Sequence, residues 1–201
     1  MNNMNNMKTD IILAGVGGQG ILSIAAVIGE AALEDGLYMK QAEVHGMSQR
    51  GGDVQSHLRI SDKPVASDLI PLGNVDIIIS LEPMEALRYL PYLKKDGWIV
   101  TNSKSFENIP NYPELEEIMK EYDKLSNKVI LDVERIAKDL GASKSANVVL
   151  LGAASPYLNI DFSKLENGIR SIFGKKGDQV VEMNLKALRA GERESKNTSS
   201  F

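Results

Sequence analysis

The chain has 201 residues, 23 Lys and Arg against 27 Asp and Glu (net −4), 43% apolar residues and no cysteine. At roughly 150 residues per domain this is one domain, large enough to bury about 70% of its unfolded surface. The missing cysteine excludes disulfides, thiolate zinc sites, a cysteine nucleophile and a cysteine-ligated iron–sulfur cluster in this chain. The acidic balance argues against nucleic acid, whose binding leans on clustered Lys and Arg.

Taken in chain order, residues 1–7 (Met1-Asn2-Asn3-Met4-Asn5-Asn6-Met7) lack the basic and apolar regions of a signal peptide, so they read as a disordered leader. Asp10–Ala14 is a short apolar run ending at glycine, as a strand buried on both faces looks. Ile21, Ile24, Ala25, Ile28 and Ala32 then recur at helical spacing until Asp35-Gly36 stops the helix. Leu37–Val44 reads as a second strand. Asp53–Ile60 alternates, with Val54, Ser56, Leu58 and Ile60 on one side and Gln55, His57 and Arg59 on the other, which makes His57 a solvated or interface side chain. Val75–Leu81 is the clearest strand, and Pro83 opens a short helix after it.

Further on, Trp98–Thr101 and Val129–Leu131 read as strands. Leu115, Ile118, Met119 and Tyr122 mark one helix, and Val133, Ile136, Ala137 and Leu140 another that ends at Gly141. The last quarter is helical, over Ala146–Ala154, Phe162–Phe173 and Gln179–Ala190, and the polar stretch Gly191–Phe201 should be a disordered tail. Alternating strands and helices predict a single Rossmann-like three-layer α/β domain over residues 8–190. Its sheet is mostly parallel with helices on both faces, and its C-terminal part is helical. The apolar runs fall short of the roughly 20 residues that span a bilayer, so a cytoplasmic location without a membrane partner is expected.

Two loops stand out as candidate ligand-binding or subunit-interface loops. Gly15-Val16-Gly17-Gly18-Gln19-Gly20 fits G-x-G-x-x-G between a predicted strand and a predicted helix. There glycine permits close backbone approach, and the helix start favours an anion. A dinucleotide also wants an acidic residue near the end of the second strand, and Glu43 is the candidate, later than the usual spacing of roughly 20 residues. The second loop packs His45, Gly46, Ser48, Gln49, Arg50, Gly51 and Gly52 together after that strand. Arg50 suits a forked grip on phosphate or carboxylate, or an ion pair with a partner subunit. Both loops should sit side by side at the carboxyl ends of the strands. Glu82 either faces that crevice or starts a helix. No catalytic residue, nucleophile–base pair or metal-ligand set emerges, so the chain reads as a binding component.

The two loops together, with the later run Asn147–Ala153, resemble the gamma-type subunit or domain of 2-oxoacid:ferredoxin oxidoreductases over roughly Lys8–Ala190. The wording Glu43-Val44-His45-Gly46-Met47 is similar to the beta-subunit branch that acts on indolepyruvate. The resemblance implies an enzyme divided among chains, inactive as this chain alone. Thiamine diphosphate and iron–sulfur clusters would belong to a partner alpha subunit, ferredoxin would accept the electrons, and coenzyme A would be a co-substrate. The other reading of the first loop is a stand-alone NAD(P)- or nucleotide-binding protein.

Overall fold

A computed structural model describes residues 7–45, 52–107 and 109–198. Six strands form one sheet in the order β2-β3-β1-β4-β5-β6, with β1 at Lys8–Val16, β2 at Tyr38–His45, β3 at Asp53–Ser61, β4 at Val75–Ser80, β5 at Leu93–Asn102 and β6 at Lys128–Leu131. The block β1-β4-β5-β6 is parallel. β3 runs antiparallel to both β1 and β2, so β2 again points the same way as β1. The sheet is therefore mostly parallel, with one reversed strand inserted beside β1.

Successive residues of the inner strands face opposite layers, as strand geometry requires. Ile11, Leu13, Ile77, Ile79 and Val100 belong to the first core, with helices α1 (Ile21–Glu34), α4 (Val133–Asp139), α5 (Ala146–Ala154), α6 (Phe162–Phe173) and α7 (Asp178–Thr198). Ile12, Ala14, Ile78 and Ile99 belong to the second core, with α2 (Pro83–Arg88) and α3 (Leu115–Asp123). Three layers and a helical C-terminal part are thus present as expected. None of the described helices is long and apolar enough to cross a membrane.

Two sequence expectations are corrected. The loose segment from Gly191 is helical through Thr198, because α7 continues along α5. Gly191 and Ser195 lie buried on the packed face, and Lys196 pairs with Glu192 one turn earlier at 2.6 Å. Small and polar residues looked like a tail when they were in fact a close helix crossing. His57 is also not solvated. It is 6% exposed, its Nδ1 accepts the Ile70 N–H at 3.0 Å, and Tyr92 meets its ring edge-on. The polar side of β3 is roofed by the segment 62–74 rather than by water.

That segment is strapped down. Arg59 Nη1 donates to the carbonyls of Ser67 and Leu69 at 3.0 Å, and Lys40 Nζ donates to that of Ala66 at 3.0 Å. Burial, followed by the charge of Arg59, pushes the His57 pKa below its ordinary value, while Asp68 and Asp10 oppose the shift. His57 is therefore neutral in the fold, and the unfolded chain binds the extra proton first. Its contribution to stability is present above the unfolded value near 6.5 and lost as pH falls through the lower folded one. Thermal unfolding at pH 7.5 and 5.5 should show an acid loss in the wild type that His57→Asn, which keeps an acceptor, does not share.

Candidate functional site

After β1 the chain turns through Gly15–Gly20 into α1 on the first face. After β4 it turns through Leu81 and Glu82 into α2 on the second. Adjacent parallel strands whose helices leave to opposite faces open a crevice at their carboxyl ends, the usual ligand position in open α/β sheets. The first glycine loop lies at that point.

The loop is held by its own glutamine. Gln19 Oε1 accepts the Val16 N–H at 2.7 Å, and Gln19 Nε2 donates to Leu81 O at 3.4 Å, tying the β1 loop to the β4 loop. Gly20 adopts φ +89°, a left-handed conformation, and a Cβ there would lie 2.7 Å from Asn147 Nδ2. Asn147 Nδ2 donates to Gly20 O at 3.2 Å, so the start of α5 is latched to the start of α1. The left-handed conformation calls for glycine here, and a Cβ would also push the Asn147 amide off its bond to Gly20 O.

Gly52 lies at this same end, and its carbonyl accepts the Gly17 N–H at 2.9 Å. This bond places the start of β3 beside the first loop, at the carboxyl end of β1. Gly46, Ser48, Gln49, Arg50 and Gly51 lie outside the described residues, as does the His45 side chain. Glu43 stands on the edge strand opposite Ser56. Since β3 lies between β1 and β2, Glu43 is two strand spacings, roughly 10 Å, from β1.

Glu82 starts α2. Its Oε2 accepts the Glu85 N–H at 2.8 Å as a helix cap, while Oε1 accepts the Phe106 N–H at 3.4 Å and the Tyr112 hydroxyl. It is fully buried and spent on these contacts, so the helix-start reading holds. Glu85 beside it is 2% exposed, and burial raises its pKa against the opposing pull of Arg88. Burial likewise pushes the Tyr89 hydroxyl up to about 12.

On the first face the glycine loop borders a cleft of about 830 Å³. Gly18, Gly20 and Ser23 form one wall, Ser143, Lys144, Ser145 and Asn147 the second, and Lys176, Gln179 and Asn184 the third. Two lysines, several hydroxyls and amides, and the starts of α1 and α5 therefore border one space, to which Phe173, Val180 and Met183 add apolar surface. Such a lining suits a ligand carrying phosphates and hydrogen-bonding edges. The sequence reasoning missed the second and third walls. The polar run Ser143–Asn147 opening an apolar helix was the available signal, yet it lies more than a hundred residues from the loop it joins.

Among the described residues no group of three or more His, Asp or Glu side chains is arranged to hold a metal ion. With no cysteine, the chain does not fit an iron–sulfur cluster.

Comparison with known proteins agrees with this architecture. The family model for pyruvate ferredoxin/flavodoxin oxidoreductase matches residues 10–194. The indolepyruvate oxidoreductase subunit IorB of Archaeoglobus fulgidus is 39% identical over 194 residues, which is 92% of this chain and 94% of that protein. Pyruvate oxidoreductase subunit PORC of Thermotoga maritima shares the fold with a TM-score of 0.70 at 23% identity, over 92% of this chain and 96% of that one. The 2-oxoglutarate:ferredoxin oxidoreductase of Magnetococcus marinus, solved with 2-oxoglutarate, coenzyme A and succinyl-CoA bound, gives a TM-score of 0.74 at 23% identity. It covers 94% of this chain but only 31% of that longer chain. A family match through nearly the whole sequence, on a sheet with the glycine loop at its crevice, shows that the chain belongs to the pyruvate ferredoxin/flavodoxin oxidoreductase family.

Proposed function

We propose that this chain is the smaller subunit of an indolepyruvate (arylpyruvate):ferredoxin oxidoreductase. In this reading a partner alpha subunit carries thiamine diphosphate and iron–sulfur clusters, and ferredoxin accepts the electrons. The 39% identical relative named for indolepyruvate, matched almost end to end, carries the reading. The chemistry of the chain supports a division of labour, since it offers neither cysteine for clusters nor a metal-ligand group among its described residues. Its contribution is then to bind and orient. The cleft beside the glycine loop receives the phosphate-bearing end of coenzyme A, with Lys144 and Lys176 as the cationic groups.

A stand-alone dinucleotide-binding protein is a poorer fit. The candidate ribose carboxylate, Glu43, sits on an edge strand with β3 between it and the glycine loop.

Anaerobic purification of the native complex, followed by 2-oxoacid-dependent reduction of ferredoxin, tests the assignment. The expected result is co-elution with a brown, thiamine-dependent partner and coenzyme A-dependent turnover of arylpyruvates. In that complex, Lys144→Ala with Lys176→Ala should raise KM for coenzyme A about tenfold while leaving kcat nearly unchanged, because the lost interaction acts equally on ground and transition states. A colourless chain that elutes alone and binds NAD(P) would overturn the reading.

A further inference from the structure

Asn184 interrupts the buried stripe of α7. Val181, Leu185 and Leu188 around it are apolar, and at 5% exposure a leucine would be the ordinary occupant. The asparagine is also only half satisfied. Its Nδ2 donates to Val180 O at 2.9 Å, one turn back on its own helix, while Oδ1 meets no donor among the described residues. The oxygen is not sealed in the core either, because among the described residues the one sealed side-chain atom without a partner is Asp62 Oδ1. Asn184 lines the cleft beside the glycine loop, so its idle acceptor opens there. A nearly buried acceptor left without a donor costs stability, and a ligand that supplies the donor recovers it.

The surroundings fix the kind of donor that fits. Phe173, Val180 and Met183 give this wall an apolar surface beside Asn184. Lys176 Nζ lies 5.3 Å from the centre of the Phe173 ring, so the apolar surface passes directly into a cationic one. A flat heteroaromatic ring with an amine on its edge and a phosphate close by matches the apolar surface, the acceptor and the cation together. A base carrying a carbonyl at that edge would instead set two acceptors against each other.

We propose that Asn184 Oδ1 reads the exocyclic amine of an adenine seated in this cleft, and so sets the base specificity of the site. The inference rests on the coenzyme A reading above and adds to it the residue that selects the adenine end.

Ferredoxin reduction by the native complex provides the test, with coenzyme A compared against its hypoxanthine analogue, in which an oxygen replaces the amine. The wild type should show a KM at least about tenfold higher for the analogue, at similar kcat. Asn184→Ala should raise KM for coenzyme A by about that factor and leave that for the analogue unchanged or lower, so that the two become alike. Asn184→Leu, close in shape to asparagine, should do the same, and it keeps the test open if the smaller side chain unsettles α7. A wild type that does not distinguish the two ligands, or an Asn184 variant that keeps the full preference, overturns the proposal. The complex with Lys144→Ala and Lys176→Ala separates this failure from that of the underlying reading. If its KM for coenzyme A rises while the Asn184 variants keep the preference, the cleft binds the coenzyme and Asn184 does not read it. If its KM is unchanged, the cleft is not the coenzyme site and this inference falls with that reading.

Discussion

Gly191→Ala is expected to destabilise the protein by about 3 kcal/mol or more, lowering the melting temperature by roughly 6–12 °C. A methyl group there would stand 1.9 Å from Val149 O and 2.8 Å from Ala153 N, and the reciprocal Gly152→Ala would put one 2.0 Å from Leu188 O. These neighbours are backbone atoms of the facing helix, which cannot rotate aside as a side chain would. The helices α5 and α7 must therefore move apart, and the interlocked core cannot follow without loss. Alanine is the better helix former by about 1 kcal/mol, so the clash must exceed that gain to show at all. Gly174→Ala is the control. Its φ is −54° and a Cβ there meets nothing within 4 Å, so its melting temperature should hold or rise slightly. The double variant Gly152→Ala with Gly191→Ala should cost less than the two single losses together, because one separation relieves both contacts. Calorimetry of the four variants and the wild type tests the series, and a Gly191→Ala variant as stable as the wild type would refute the close crossing.

Asp10→Ala should cost about 3–5 kcal/mol, the usual penalty for stripping one partner from a buried ion pair. Asp10 is fully buried on β1. Its carboxylate accepts Arg59 Nε at 2.8 Å and Nη2 at 3.3 Å, with Lys8 Nζ at 2.7 Å. The Arg59 side chain is 11% exposed and also reaches the carbonyls of Ser67 and Leu69. Removing the carboxylate leaves a nearly buried guanidinium uncompensated and frees the strap over 62–74. Two readouts should therefore move together, with a lower melting temperature and faster proteolysis confined to that strap. Replacing the pair with apolar groups, Asp10→Leu with Arg59→Met, should recover much of the thermal loss but not the full protection from protease, since the two bonds from Arg59 to the strap are lost. The pair sits at the amino end of β1, so ligand binding by the folded fraction should be unaffected. A variant whose strap stays protease-resistant would show that Arg59 holds it without Asp10.

Most of the elements were legible because their patterns are local. Val75–Leu81 is apolar on both sides, as a central strand must be, and Phe162–Phe173 shows one apolar stripe ending at glycine. Strand order was not legible. Nothing in the alternation of Val54, Ser56, Leu58 and Ile60 says that β3 is inserted between β1 and β2, because pairing partners are chosen by tertiary fit. His57 was misread for the same reason, since the roof over the polar side of β3 comes from an irregular segment with no periodicity.

The glycine loop was found because positive φ and close approach demand glycine itself. Lys144 and Lys176 look like ordinary surface residues, and Asn147 opened a run that carried a resemblance but no role. Only the latch of Asn147 on Gly20 and the convergence of three helix walls give them a common task. Arg50 remains an expectation, since it falls outside the described residues.

The crossing of α5 and α7 also bears on synthesis. Seven residues of α5, Val148–Ala154, are buried together, so this helix has no face suited to water. Much of its cover comes from α7, which follows it in the chain after α6. A nascent chain therefore holds an apolar helix partly open until α7 has been made, and it completes its first core only then. Truncation before Gly191 should produce aggregation or chaperone capture rather than a smaller folded protein.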